Sequence, residues 1–164
     1  MLKKKIRPVL LASVLVISGT AGFSAGIVSE NVYASEEAHT QRLSDFADLL
    51  DANQEEELET KLNQISEDYD CDIVVDIEES IDGMDPTAYA DDFFDYNDYG
   101  MGNDKSGILF MLTMSERKWA ISTHGEAISI FTDAGQEYIT DNIVSYFSDG
   151  DYYEGFTKFA DLCE

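Results

Sequence analysis

The feature that most restricts the fold is a nearly uninterrupted apolar run at residues 107–114. A run of this length is typical of a β-strand that is covered on both of its faces. Ser115 and Glu116 follow as a tight turn, and residues 117–123 then alternate more between apolar and polar side chains, with Trp119 and Ile121 on one face. We therefore expect an antiparallel hairpin in a sheet that has further layers on both sides.

Segments with helical periodicity surround this hairpin and supply the expected layers. Asp51 and Gln54 have the spacing of a capping box, in which two side chains satisfy free backbone amides at the start of a helix. Apolar residues then recur at intervals of three and four positions, which is one face of a helix. These residues are Leu58, Leu62, Ile65 and Tyr69. Asp85 and Pro86 fit the N-cap and first position of a second helix, and Thr132 fits the cap of a third.

The remaining segments complete an α/β pattern. Residues 71–77 are short and β-branched, as in a strand, and a fourth helix is expected after the turn at residues 149–151. Helices that alternate with buried strands predict a three-layer αβα sandwich, with a mixed sheet and helices on both of its faces. We assign residues 42–164 to this single domain.

The N-terminus has the features of an export signal. Lys3, Lys4, Lys5 and Arg7 precede a short apolar run at residues 9–17. A stretch rich in small residues follows, and residues 32–34 fit the small-x-small cleavage pattern. We expect a signal peptide at residues 1–34, cleaved near Ala34, and a flexible leader at residues 35–41. The mature chain would then be extracytoplasmic, secreted or at the cell surface, without a transmembrane span. The alternative is an uncleaved signal that anchors the chain.

Net charge limits the classes of partner. Removal of residues 1–34 leaves 6 basic and 33 acidic residues, a net charge of −27. Such a surface repels nucleic acid and anionic lipid. It suits divalent cations or basic partners, although charge of this kind also serves solubility alone.

Six short segments, in order, resemble the TPM domain family, which includes exported bacterial proteins and thylakoid-lumen proteins linked to photosystem II repair. The segments lie at residues 43–50, 72–75, 105–110, 116–118, 132–134 and 150–153. Two positions depart from the family pattern. Thr123-His124-Gly125 stands where Gly-Tyr-Gly is usual, and Lys105 replaces a carboxylate or amide before Gly107.

The resemblance implies an αβα sandwich of the Rossmann-like type without a nucleotide site. Members of the family have been described as acid phosphatases and as calcium-binding modules, and others have no known activity. The resemblance therefore specifies the fold more closely than the function.

The hairpin predicts where polar loops meet. If Met114 and Arg117 flank the turn, Ser106 lies opposite Gly125, so the acidic loop at 98–104 lies beside residues 126–133. Five side chains are then expected to converge on one rim of the sheet. They are Asp98, Asn103, Asp104, Glu126 and Asp133. Calcium takes six to eight oxygen ligands, so we predict a Ca²⁺ site here, with a solvated acidic loop as the alternative.

Two functions remain open at this stage. The first is a calcium-binding interaction or scaffold module of the cell envelope, with an envelope protein as a candidate partner. Tyr96 and Tyr99 beside the acidic loop are either contacts with such a partner or packing residues. The second is a metal-assisted acid phosphatase, with His124 as the candidate acid or base; the alternative is that His124 is an exposed histidine at a strand end. Cys71 and Cys163 either form a disulfide in an oxidising compartment or remain two buried thiols.

Overall fold

The computed structural model describes residues 41–164, so the predicted signal peptide and all but the last residue of the predicted leader lie outside the described residues. The elements in chain order are β1 (Leu43–Asp45), α1 (Ala52–Tyr69), β2 (Asp72–Glu78), α2 (Pro86–Tyr96), β3 (Gly107–Thr113), β4 (Lys118–His124), α3 (Ala127–Ile130), α4 (Asp133–Asp149) and α5 (Tyr152–Cys163). None of the helices in this part of the chain is long and apolar enough to span a membrane.

The sheet has the strand order β1-β2-β3-β4, in which the first three strands are parallel and β4 is antiparallel to β3. The predicted mixed sheet is therefore confirmed. In the hairpin, Gly107 pairs with His124 and Leu112 with Trp119. This register is the one predicted from a turn at Ser115 and Glu116, because a two-residue turn fixes every pair behind it.

Helix ends form as their sequences predict. The Asp51 carboxylate accepts hydrogen bonds from the backbone N–H groups of Asn53 and Gln54, and the Gln54 side chain accepts one from the Asp51 N–H. Asp85 caps α2, in which Pro86 is the first residue, by accepting from the N–H of Ala88. These contacts start α1 and α2 at fixed positions, and α2 is the helix that leads into the acidic loop.

The two faces of the sheet are covered by different helices, as the three-layer prediction requires. On one face α1 and α5 contact β2, and α4 packs against α5. The apolar core on this side includes Leu62, Ile73, Phe110 and Phe159. On the other face α2 packs against β3 and β4, and a smaller apolar cluster lies around Phe93.

Two short elements were not predicted. The segment at 42–50 was expected to pack on the core, and it also adds β1, in which Leu43 pairs with Val75. Helix α3 has 4 residues and follows the β4 strand directly. Elements this short contain too few positions for an apolar period to appear.

Candidate functional site

The loop at residues 97–106 joins α2 to β3 through several left-handed backbone positions. Asp98 and Lys105 have φ angles of 58° and 56°, and Gly100 has a φ of 102°. A Cβ atom on Gly100 would lie 2.6 Å from the Lys105 carbonyl carbon, so a side chain does not fit there. Met101 and Ser106 exchange two backbone hydrogen bonds, of 2.9 and 2.8 Å, which close the loop.

A buried ion pair fixes this loop to the sheet. Asp72 at the start of β2 accepts hydrogen bonds from the Arg42 side chain at 2.8 and 2.7 Å. The other Asp72 oxygen accepts from the Gly100 N–H at 2.6 Å. Both side chains are almost inaccessible to solvent. Since a buried charge needs a partner, Arg42 and Asp72 serve to position the loop.

The predicted contact between the two loops is confirmed. The Asp104 carboxylate accepts a 2.8 Å hydrogen bond from the backbone N–H of Glu126, and Ser106 Oγ accepts one of 3.2 Å from Ala127. Gly125 makes this approach possible, because a Cβ atom there would lie 2.5 Å from the Asp104 carbonyl oxygen. The acidic loop and the segment after β4 therefore form one rim.

The five predicted ligands are exposed, and among residues 41–164 the one hydrogen bond between them runs from the Glu126 backbone N–H to Asp104. Asp98 is paired with Lys105 Nζ at 3.0 Å, so a chain cation already occupies its carboxylate. Asn103 and Asp133 make no hydrogen bond or ion pair with the other three in residues 41–164. Within that range no group of three or more His, Cys, Asp or Glu side chains is arranged to hold a metal ion. The calcium site stays a prediction.

A sixth carboxylate, which the sequence did not single out, lies on the same rim. Asp70 is the left-handed C-cap of α1, with a φ of 50°. A Cβ atom on Gly102 would lie 3.3 Å from Asp104 Oδ1 and 3.8 Å from Asp70 Oδ2, so these two oxygens are at most about 7 Å apart. Burial raises the pKa of the Cys71 thiol, a hydrogen bond with Ser106 lowers it, and the charges of Asp72, Asp104 and Asp70 raise it further.

His124 ends β4 next to the rim and is held on three sides. Its ring stacks on Phe94 with centroids 3.9 Å apart, and its Nδ1 lies 3.8 Å from Asp95 Oδ1. Its Nε2 lies 2.7 Å from Ser122 Oγ, which donates its proton to Asp91 at 2.6 Å. A hydroxyl has one proton to donate, so Nε2 must donate to Ser122.

The aromatic and cysteine candidates have distinct environments. Tyr99 is buried and its hydroxyl donates to the Gln41 carbonyl at 2.7 Å, so it is a packing residue. Tyr96 is 59% exposed and is free for a partner contact. Cys71 and Cys163 are buried free thiols in the same core cluster, and burial raises the pKa of both. Whether they pair on oxidation stays a prediction.

Fold and site together define an acidic αβα domain with a carboxylate-bearing rim at one end of its sheet. The family model for the TPM domain matches residues 43–164. This chain therefore belongs to the TPM domain family, and the resemblance predicted from its six short segments is confirmed.

The matching solved structures include three bacterial proteins. An N-terminal domain from P. gingivalis has a TM-score of 0.67 and 21% identity, over 76% of this chain and 80% of that one. The N-terminal domain of the cg2496 protein from Corynebacterium glutamicum has a TM-score of 0.63 and 17% identity, over 85% of each chain. The BA42 protein from Bizionia argentinensis has a TM-score of 0.62 and 16% identity, over 73% of this chain and 81% of that one. None of the curated proteins matches the chain significantly. At these identities the likeness shows the fold alone.

Proposed function

We propose that this chain is an exported TPM domain that acts as a calcium-binding interaction module of the cell envelope. The observation that carries the proposal is the pair of exposed carboxylates of Asp70 and Asp104, which both lie close to Gly102. Lys105, which follows Asp104 in the chain, is engaged by Asp98. Like charges at this separation repel unless a cation intervenes, and calcium accepts carboxylate and carbonyl oxygens in irregular geometry.

Ion binding on this rim requires a small rearrangement. Asp104 uses Oδ2 for the Glu126 N–H and keeps Oδ1 for a ligand. Asp98 joins the site only if Lys105 releases it, which is a change of two exposed side chains. The loop itself is already closed by the Met101–Ser106 bridge and tied to Asp72. We therefore expect calcium to order side chains on the rim without changing the fold.

Thermal unfolding with calcium and with chelator tests the proposal. A ligand that binds only the folded state raises its stability, so millimolar calcium should raise the Tm by several degrees over EDTA. The Asp104→Asn variant keeps an oxygen for the Glu126 N–H but loses its charge, so its shift should be much smaller. Glu56→Gln, on the exposed side of α1, should shift as the wild type does. An equal Tm in calcium and in EDTA would contradict the site.

Acid phosphatase activity is the second candidate, and His124 is the observation that favours it. The imidazole is held by Ser122 and Phe94 with Nδ1 toward Asp95, which is a defined position for proton transfer. A bound cation would have to supply the positive charge that phosphoryl transfer needs, because Arg117 and Lys118 lie at the other end of the hairpin.

Hydrolysis of para-nitrophenyl phosphate between acid and neutral pH tests this second function. We expect metal-dependent turnover that falls at least tenfold in His124→Asn. Activity that survives the loss of His124, Asp104 and Asp133 would remove these residues from any mechanism. A chain that shows the calcium-dependent Tm shift but no turnover would leave the interaction module as the function.

A further inference from the structure

The two edges of the sheet differ in how their backbone groups are satisfied. At the β1 edge the Glu59 carboxylate accepts the N–H groups of Arg42, at 3.0 and 3.1 Å, and of Leu43, at 2.7 Å. A side chain of α1 thus covers this edge. An uncovered strand edge is a template for pairing with another chain, and proteins commonly block such edges.

At the opposite edge, β4 directs a row of backbone groups outward. Beside β3, the Ser106 carbonyl accepts from the Asp72 N–H, and the Met114 N–H donates to the Glu78 carbonyl. The backbone groups of even-numbered residues in β3 therefore point toward β2, and those of odd-numbered residues point toward β4. In the hairpin register the even-numbered residues of β4 then bond to β3. The N–H and C=O groups that point away from the sheet are those of Trp119, Ile121 and Thr123. None of these groups has a hydrogen-bond partner in residues 41–164.

An open groove of about 460 Å³ runs along this edge. Trp119, Ala120 and Ile121 form its floor, Thr87 of α2 forms one wall, and Gln136, Glu137 and Thr140 of α4 form the other. Trp119 is 41% exposed here. Helices from the two opposite layers therefore flank the strand edge without covering it.

Acidic residues lie on both helices that flank the groove. On the α2 side, Asp91 and Asp95 follow Thr87 at intervals of four residues, and both are exposed. On the α4 side, Glu137 is exposed and forms no ion pair with any described residue. Two copies of this edge would bring like charges together, which disfavours self-pairing. A basic chain would be attracted to the same walls.

We propose that the free edge of β4 binds an extended, basic peptide segment of a partner protein by strand addition. Main-chain hydrogen bonds to Trp119, Ile121 and Thr123 would supply affinity, and alternate side chains of the peptide would lie against the two walls. This inference goes beyond the proposed calcium site, because it involves a different surface and needs no ion.

Fluorescence of Trp119 provides the test, because it is the only tryptophan in the chain. The full-length protein is titrated in EDTA with a peptide of about seven alternating lysine and valine residues, a common strand length. We expect a saturable change in emission. The same peptide with alternate backbone nitrogens methylated, and a glutamate–valine peptide, should each bind at least tenfold more weakly. Equal binding of the methylated peptide would show charge attraction alone and would overturn the proposal.

Two variants test the edge itself. Ile121→Pro removes one outward N–H and leaves the bonds between β4 and β3, since proline is tolerated on the free side of an edge strand. It should weaken peptide binding at least tenfold, whereas Ile121→Val should not. Glu137→Lys keeps the strand intact and should also weaken binding, with Glu56→Lys on α1 as the matched control. Unchanged affinity in both Ile121→Pro and Glu137→Lys would contradict the proposal. So would a dimer, seen by sedimentation, that Ile121→Pro converts to monomer, because a second copy would then occupy the edge.

Discussion

The face of the sheet covered by α1, α4 and α5 is packed with apolar side chains, whereas the face covered by α2 contains three buried carboxylates. Phe110, Phe156 and Phe159 are fully buried on the first face. On the second face, Asp72, Asp76 and Glu78 project from β2 and are also buried. The first face buries the larger apolar cluster and so contributes most of the burial of apolar area that drives folding. The second face adjoins the rim and His124, to which we assign the proposed calcium site and the candidate phosphatase site.

The three carboxylates on the α2 face have different partners. Asp72 has the Arg42 guanidinium. Glu78 accepts a 2.5 Å hydrogen bond from the Tyr89 hydroxyl. Neither oxygen of Asp76 has a partner among the described residues, and burial, followed by the charge of Glu78, raises its pKa well above the ordinary value. The contribution of this face to stability therefore depends on specific ion pairs and hydrogen bonds, and it changes with pH. We expect no such pH dependence from the apolar face.

Loss of Arg42 should have the largest effect. Arg42→Ala leaves the Asp72 charge buried without its partner, and breaking such a pair costs about 3–5 kcal/mol. We expect this loss in urea unfolding at pH 7. Lys61→Ala is the control, since its pair with Asp161 is partly exposed and should contribute less than about 1 kcal/mol. If the two variants lost equal stability, the Arg42 pair would have no special role in joining the rim to the sheet.

Removal of the Tyr89 hydroxyl should have a smaller effect. Tyr89→Phe keeps the ring between β2 and Phe93 but removes the donor to Glu78. A hydrogen bond to a charged group contributes about 1.5–3 kcal/mol, and we expect a loss in that range at neutral pH. A Tyr99→Phe variant, whose lost hydroxyl donates to the neutral Gln41 carbonyl and not to a carboxylate, should lose less. The opposite order would show that Glu78 does not depend on Tyr89.

The position of the rim followed from the sequence, but its contacts did not. A two-residue turn after an apolar strand fixed the hairpin register, so the meeting of Asp104 with residues 125–127 was predictable. The pairing of Lys105 with Asp98 depends on a left-handed backbone at both residues, which side-chain type does not specify. Asp70 reaches the rim only because β2 and β3 are parallel neighbours, a long-range pairing with no local signal.

The local sequence pattern also did not predict that the acidic side chains of β2 are buried. Alternating charged residues in a strand normally indicate a solvent-facing side. Here Tyr99, from the loop after α2, is buried with them and covers that side. The sequence therefore predicted the three layers correctly. The buried carboxylates beneath α2 became evident only in the structure.

Neutralisation of Asp76 should give the smallest change, with the opposite sign. Because the folded-state pKa of Asp76 is raised, its contribution to stability is full below the ordinary Asp pKa and is lost as pH rises through the raised value. Asp76→Asn should therefore be more stable than wild type by about 1 kcal/mol at neutral pH, and the gain should disappear near pH 4. Urea unfolding at several pH values measures this difference. Ile73→Val, on the same strand but the apolar face, should change stability equally at every pH. A pH-independent effect of Asp76→Asn would mean that the α2 face carries its carboxylates at no electrostatic cost, and the contrast between the two faces would then rest on Arg42 and Tyr89 alone.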